Sequence, residues 1–118
     1  MGYKPIVYSK KFNINFVNDL SNPITVRCLR GDWTARTGVP PHGGVAQFSF
    51  DCKDRDKPPI LAQMYTVDSY YDLSVDIDIQ KGCKDCAERG CFWSVRQDGL
   101  YQLINGKWVK VGYWDPDR

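Results

Sequence analysis

Apolar and polar positions alternate with a period of two in several short runs. Phe12-Asn-Ile14-Asn-Phe16 sets three large apolar side chains on one face, which predicts a strand with one buried side. Asn18-Asp-Leu-Ser-Asn-Pro23 carries turn chemistry, and Ile24, Val26 and Cys28 then share a face on a second strand. Val45 to Phe50 predicts a third strand, with Phe48 and Phe50 on one side, and Ile60 to Val67 a fourth. From Asp72 to Gln80 the alternation is unbroken. Leu73, Val75, Ile77 and Ile79 take one face; Asp72, Ser74, Asp76 and Asp78 take the other. The glycine- and proline-rich stretch Leu29 to Gly44 reads as a long loop that could hold a short hairpin. No window shows the 3.6-residue period of an amphipathic helix, and no internal repeat or linker divides the chain.

The last third is the most sharply patterned. Cys91 to Trp114 consists of three apolar-rich runs separated by Asp98-Gly99 and Asn105-Gly106. Both dipeptides favour tight hairpin turns, because a type I′ turn needs positive φ at its two central residues. Two-residue loops there would pair Gln97 with Leu100 and Ile104 with Lys107. One face then carries Trp93, Val95, Leu100, Ile104, Val109, Val111 and Tyr113, and is the predicted core side. The other carries Phe92, Ser94, Arg96, Tyr101, Leu103, Trp108, Lys110 and Trp114. That second face is unusually aromatic for a solvated surface. It is either covered by the N-terminal segment or a loop, or it meets a partner. About eight short strands separated by turn signals predict an all-β fold, a small antiparallel β-sandwich.

Composition narrows the function. The 118 residues suggest one domain over 1–118, and 42% hydrophobic content is enough for a packed core. A net charge of +2 spread over several segments argues against a nucleic-acid partner. No apolar run approaches the ~20 residues that span a bilayer, so the chain is not expected to be membrane-embedded. Met1 to Phe12 lacks the apolar core of a secretory signal, whereas five cysteines in so short a chain favour an oxidising compartment. The two observations fit a secreted protein in its mature form. No Asn-x-Ser/Thr acceptor occurs, so no N-linked sugar is expected.

The cysteines admit two readings. Cys83-x2-Cys86 has zinc-knuckle spacing, with Cys91 or Cys52 as further ligands, which would suit an intracellular zinc module. A second knuckle is missing, and His42 stands alone in a proline/glycine-rich stretch, so disulfides are favoured and no metal or cofactor is expected. Cys28 and Cys91 each fall on an inward strand face, as a bridge between strands requires. Cys52 would then pair with Cys83 or Cys86, leaving one cysteine free or bonded to another chain. A monomer and a disulfide-linked dimer both stay open. Asp72, Asp76 and Asp78 on one strand face, with Asp68 nearby, would suit a calcium ion or a small secreted toxin or hydrolase, but also describe a solvated face. No nucleophile–base spacing, phosphate loop or His-x-x-x-His pattern occurs, so no enzyme is expected.

The run Cys91-Phe-Trp93-Ser-Val-Arg-Gln-Asp98-Gly99-Leu-Tyr101, followed by Lys107-Trp108 and a closing Gly-Tyr113-Trp114, resembles the plant self-incompatibility protein family, also called S-protein homologues. Ile14-Asn-Phe-Val-Asn18-Asp-Leu is similar to that family's first strand, Gln47-Phe48-Ser-Phe50 to its Trp-x-Phe strand and Val75-Asp-Ile77 to its Phe-Asp-Val segment. Arg27-Cys28 stands where the family has His-Cys. The chain departs from the family at Leu29-Arg-Gly-Asp32-Trp, and Ile60-Leu-Ala-Gln-Met64-Tyr lacks the family's second cysteine. The resemblance implies a secreted, disulfide-bonded β-sandwich that acts as a ligand for a cell-surface or membrane protein receptor. A rigid scaffold with polar loops suits that role. The expected contact loops are Leu29 to Gly44, with Arg30, Asp32, Trp33 and Arg36; Lys53 to Lys57, with Lys53 and Arg55; and Lys81 to Gly90, with Lys84 and Arg89.

Overall fold

The computed structural model describes residues 11–54, 58–66, 71–86 and 89–116. They form two stacked five-stranded sheets. The first has the order β4-β1-β7-β8-β9 and the second β10-β6-β5-β2-β3. The strands are β1 (Lys11–Asn18), β2 (Ile24–Arg30), β3 (Trp33–Val39), β4 (Gly44–Asp51), β5 (Ile60–Tyr65), β6 (Tyr71–Ile77), β7 (Cys91–Arg96), β8 (Gly99–Ile104), β9 (Lys107–Gly112) and β10 (Asp115–Pro116). The all-β sandwich is as the alternation predicts. One pairing, β1 with β7, runs parallel, because the chain passes through the second sheet between them.

The period-two faces become the core. Phe12, Ile14 and Phe16 lie opposite Phe50, Phe48 and Ala46 in β4, and Phe16 stacks on Trp93 with ring centroids 5.1 Å apart. The second sheet answers with Ile24, Val26, Cys28, Ile60, Ala62, Met64 and Leu73, all essentially without solvent contact. Asn18 ends the inward face of β1 as a polar cap. Its buried amide reaches the carbonyls of Asn22, Val39 and Pro40, and its Oδ1 accepts from the Leu20 N–H at 3.0 Å. These bonds tie the end of β1 to the Asn22 and Pro40 turns and to the last residue of β3. Asn18→Ala removes them, and the expected loss is about 2–3 kcal/mol of unfolding free energy. Chemical denaturation with an unchanged slope checks this.

Four local expectations need correction. Leu29 to Gly44 is not a long loop: Arg30 pairs with Trp33 across a Gly31-Asp32 turn, and the ladder runs back to Ile24 opposite Val39. The strand from Asp72 ends at Ile77, and Ile79–Asp85 is a short helix, α1. Asp78 caps α1 by accepting from the Gln80 N–H at 2.9 Å, so it leaves the acidic strand face that Asp72 and Asp76 keep. The β7–β8 turn closes at Arg96 opposite Gly99 and the register is Val95 to Leu100, two residues from the predicted pairing. A two-residue shift preserves faces, so Trp93, Val95 and Leu100 are buried as predicted. Finally, a bulge sets Leu100 opposite Gly112 while Tyr101 stays opposite Lys110. The extra residue exchanges the faces beyond it. Trp114 packs against the core and donates its Nε1–H to the Arg96 carbonyl at 2.9 Å, whereas Tyr113 is 69% exposed.

The sulfur pairing also differs from the inward-face argument. Cys52 bonds Cys83, and Cys86 bonds Cys91. Cys28, expected to bridge to Cys91, is the free cysteine. Cys86 caps the end of α1, and its carbonyl accepts from the Arg89 and Gly90 N–H groups, so the chain doubles back and delivers Cys91 locally. Cys28 instead lies between Ala35 and Ala62 on the neighbouring strands. Burial pushes its thiol up to about 12, so it stays protonated and inert. No dimer through Cys28 can form while the sheet is intact. A non-reducing gel of oxidant-treated native protein is expected to show single chains; a covalent dimer would contradict this burial.

Candidate recognition surface

The strand registers fix which loops meet. Lys11 lies opposite Asp51, Ile14 lies beside Cys91, and β8 ends at Ile104. In the second sheet Leu29 lies opposite Leu61, and Ile60 opposite Ile77. The edge of the Trp33 ring meets Phe50 at 5.5 Å, and Cys52–Cys83 joins the segment after β4 to α1. One end of the sandwich therefore gathers the β2–β3 turn, the short 3-10 helix Cys52–Asp54, α1 with the residues that follow it, and the β8–β9 turn.

Most of the expected contact residues stand at this end. The Arg30 guanidinium lies 5.3 Å over the Phe50 ring, beside the exposed Trp33 and Asp32 of the same turn. Lys53 is exposed on the 3-10 helix; its N–H donates to Asp51 Oδ1 at 3.0 Å. Lys84 is exposed in the last turn of α1, and Arg89 is exposed just beyond it. Charges here are mixed: Lys81 pairs with Asp85 at 3.0 Å and Lys53 with Asp51 at 4.0 Å, both in water-exposed settings worth a few tenths of a kcal/mol. Arg36 does not join them; it lies opposite Arg27 in the middle of β3. Pro40 to Gly44, the other half of the expected loop, sits at the opposite end, where Gly44 pairs with Asn18. Arg55 and Asp68 lie outside the described residues.

The sulfurs that a zinc site at Cys83, Cys86 and Cys91 would need are bonded to one another or to Cys52. His42 sits in the β3–β4 turn at the far end from those four cysteines. The described residues hold no group of three side chains able to cage a metal ion.

The aromatic face of the C-terminal meander is the second feature. The Arg96 guanidinium lies 4.4 Å from the Tyr101 ring and 5.3 Å from the Trp108 ring. Its Nε donates to Ser94 Oγ at 3.0 Å, and the Ser94 hydroxyl donates in turn to Asp19. Tyr101 donates to Asp98 Oδ2 at 2.6 Å. That bond holds the Asp98 carboxyl below the usual carboxylate range, Lys110 helping, and it raises the Tyr101 phenol. Whether the N-terminal segment covers this face concerns residues 1–10, which lie outside the described residues. Phe92, Tyr101, Leu103 and Trp108 on one side of alternating strands were the sequence signal for it.

No helix among the described residues is long and apolar enough to cross a membrane. No curated protein and no solved structure matches the chain. The sequence model of the plant self-incompatibility protein S1 family matches residues 13–114, which run from the first strand to the tryptophan that closes the core. With the sandwich and its final Cys-x-Trp meander in place, this chain belongs to the plant self-incompatibility protein S1 family.

Proposed function

We propose that this protein is a secreted ligand that binds a cell-surface or membrane protein through the end of the sandwich that carries Arg30, Asp32, Trp33, Lys53, Lys84 and Arg89. The single observation that carries the reading is the clustering of three polar loops at the end where two disulfides tie α1 to its neighbours. Rigid loops bind with little ordering entropy lost, which favours recognition. Family membership and oxidised cysteines both suit an extracellular site of action.

The test is photo-crosslinking on plant plasma-membrane vesicles with a photoreactive residue in place of Trp33 or Lys84. A matched control carries it at Val45, which is exposed near the opposite end. Saturable crosslinks from positions 33 and 84, competed by unmodified protein, are expected. Equal crosslinking from position 45, or none that saturates, would overturn the reading.

A further inference from the structure

Six of the eight large apolar side chains that the described residues leave exposed belong to one hairpin and its exit: Leu103, Ile104, Trp108, Val109, Val111 and Tyr113. β9 forms the edge of its sheet and pairs only with β8. Its outward backbone groups therefore have no strand partner among the described residues. Leu103 and Trp108 sit opposite each other on one face, while Ile104 pairs with Lys107 and Gln102 with Val109 on the other. Apolar side chains are thus presented on both sides of a free strand edge.

The charge on this strip is one-sided. Residues 91–114 hold Arg96, Lys107 and Lys110 but a single acid, Asp98. They take three of the sixteen cationic side chains and one of the fourteen acids, so the rest of the chain balances at thirteen of each sign. The whole formal charge of +2 therefore belongs to this meander. Asp98 is already engaged, by the Tyr101 hydroxyl at 2.6 Å and by Lys110 at 3.7 Å. Lys107 is exposed and has no ion pair among the described residues. A second copy paired edge to edge would bring four lysines onto one seam with no acid on either β9. The lysines thus oppose self-association and favour an occupant of opposite sign.

We infer that β9 is a docking strand for an acidic, extended segment of a partner protein, which adds to the sheet edge along Lys107–Gly112. A carboxylate faces Lys107 on one side of the strand and another faces Lys110 on the opposite side, and the two apolar residues between them lie beside Trp108 and Val109, one on each face. This inference rests on the recognition reading and adds a second contact strip, whose β8–β9 turn lies at the same end as the polar loops.

The experiment is amide NMR of the full chain titrated with a short capped peptide centred on Glu-Val-Val-Glu, which matches the order Lys107-Trp108-Val109-Lys110, against a Lys-Val-Val-Lys counterpart. Shifts confined to β9 and its β8 neighbours are expected with the acidic peptide alone. The single change Lys107→Glu, at an exposed position, should weaken binding severalfold while leaving the rest of the spectrum in place. Equal binding of the cationic peptide, shifts centred on the β2–β3 turn or α1, or no shift at millimolar peptide would overturn the inference. So would dimerisation through β9, or peptide binding that occurs only after residues 1–10 are removed, which would make that segment the native occupant. Retained crosslinking from positions 33 and 84 under any of these results would leave the recognition reading standing. Loss of that crosslinking with peptide binding intact would do the reverse.

Discussion

Reducing both disulfides should remove about 6 kcal/mol of stability, most of what a domain of this size has. The Cys52–Cys83 bridge spans 31 residues and the Cys86–Cys91 bridge spans 5. Chain-entropy arguments assign about 4 and about 2 kcal/mol to closures of those lengths. The longer bridge also has a specific mechanical role. Cys52 follows β4 of the first sheet, and Cys83 lies in α1, which follows β6 of the second. The bond therefore staples the two layers at the end of the sandwich that carries α1 and the β2–β3 turn. Thermal unfolding followed by near-ultraviolet circular dichroism, with and without reductant, measures the effect. The oxidised protein is expected to melt cooperatively, and the reduced one to lose its tertiary signal near physiological temperature. An unchanged midpoint would mean that the apolar core alone sustains the fold. Cys86→Ser with Cys91→Ser should give the smaller loss, and Cys52→Ser with Cys83→Ser the larger.

Phe16→Ala is the second large effect, with an expected loss of about 3–5 kcal/mol. Phe16 has no solvent contact, stacks on Trp93 and lies opposite the small Ala46, so no neighbour is placed to fill the gap. Trp108→Ala makes the informative contrast. It removes a larger side chain, but one that is 39% exposed at the sheet edge. Its expected loss is about 1 kcal/mol, chiefly the Leu103 contact and the Arg96 cation–π interaction. Denaturant midpoints of the two variants, compared with the parent, separate core from display surface. A Trp108 variant as unstable as the Phe16 variant would show that the aromatic face is structural.

Strand identity was legible wherever large apolar residues alternate with polar ones. Phe12-Asn-Ile14-Asn-Phe16 and Leu73-Ser-Val75-Asp-Ile77 were read correctly for that reason, and so were Trp93 and Val95. β3 was not legible, because Trp33-Thr-Ala-Arg-Thr-Gly-Val39 is an edge strand with only Val39 buried. An edge strand pairs through its backbone and leaves no apolar period. α1 is seven residues long and opens inside an alternating run, so Ile79 looks like the next strand position; it is buried either way. The bulge at Val111 has no sequence mark, and it moved Tyr113 and Trp114 to faces opposite to those predicted. Sulfur pairing depended on the turn from Cys86 to Cys91, which alternation cannot reveal.

The candidate site was legible as three polar segments but not as a place. Only the registers of the two sheets bring the β2–β3 turn, the 3-10 helix and α1 together, and they send Pro40 to Gly44 to the other end. The exposure of Ile104, Val109 and Val111, expected in the core, has the same origin. These side chains keep 40–42% of their surface exposed, so the second sheet does not bury them.

The central claim is a two-layer β-sandwich closed at the end that carries α1 by Cys52–Cys83 and Cys86–Cys91, with Cys28 sealed inside. Alkylation of the unfolded but unreduced protein, followed by proteolysis and mass spectrometry, tests it most directly. The account predicts two linked peptide pairs joining those cysteines, with a single alkyl group on Cys28. A Cys28–Cys91 linked peptide, or five alkylated cysteines, would contradict it.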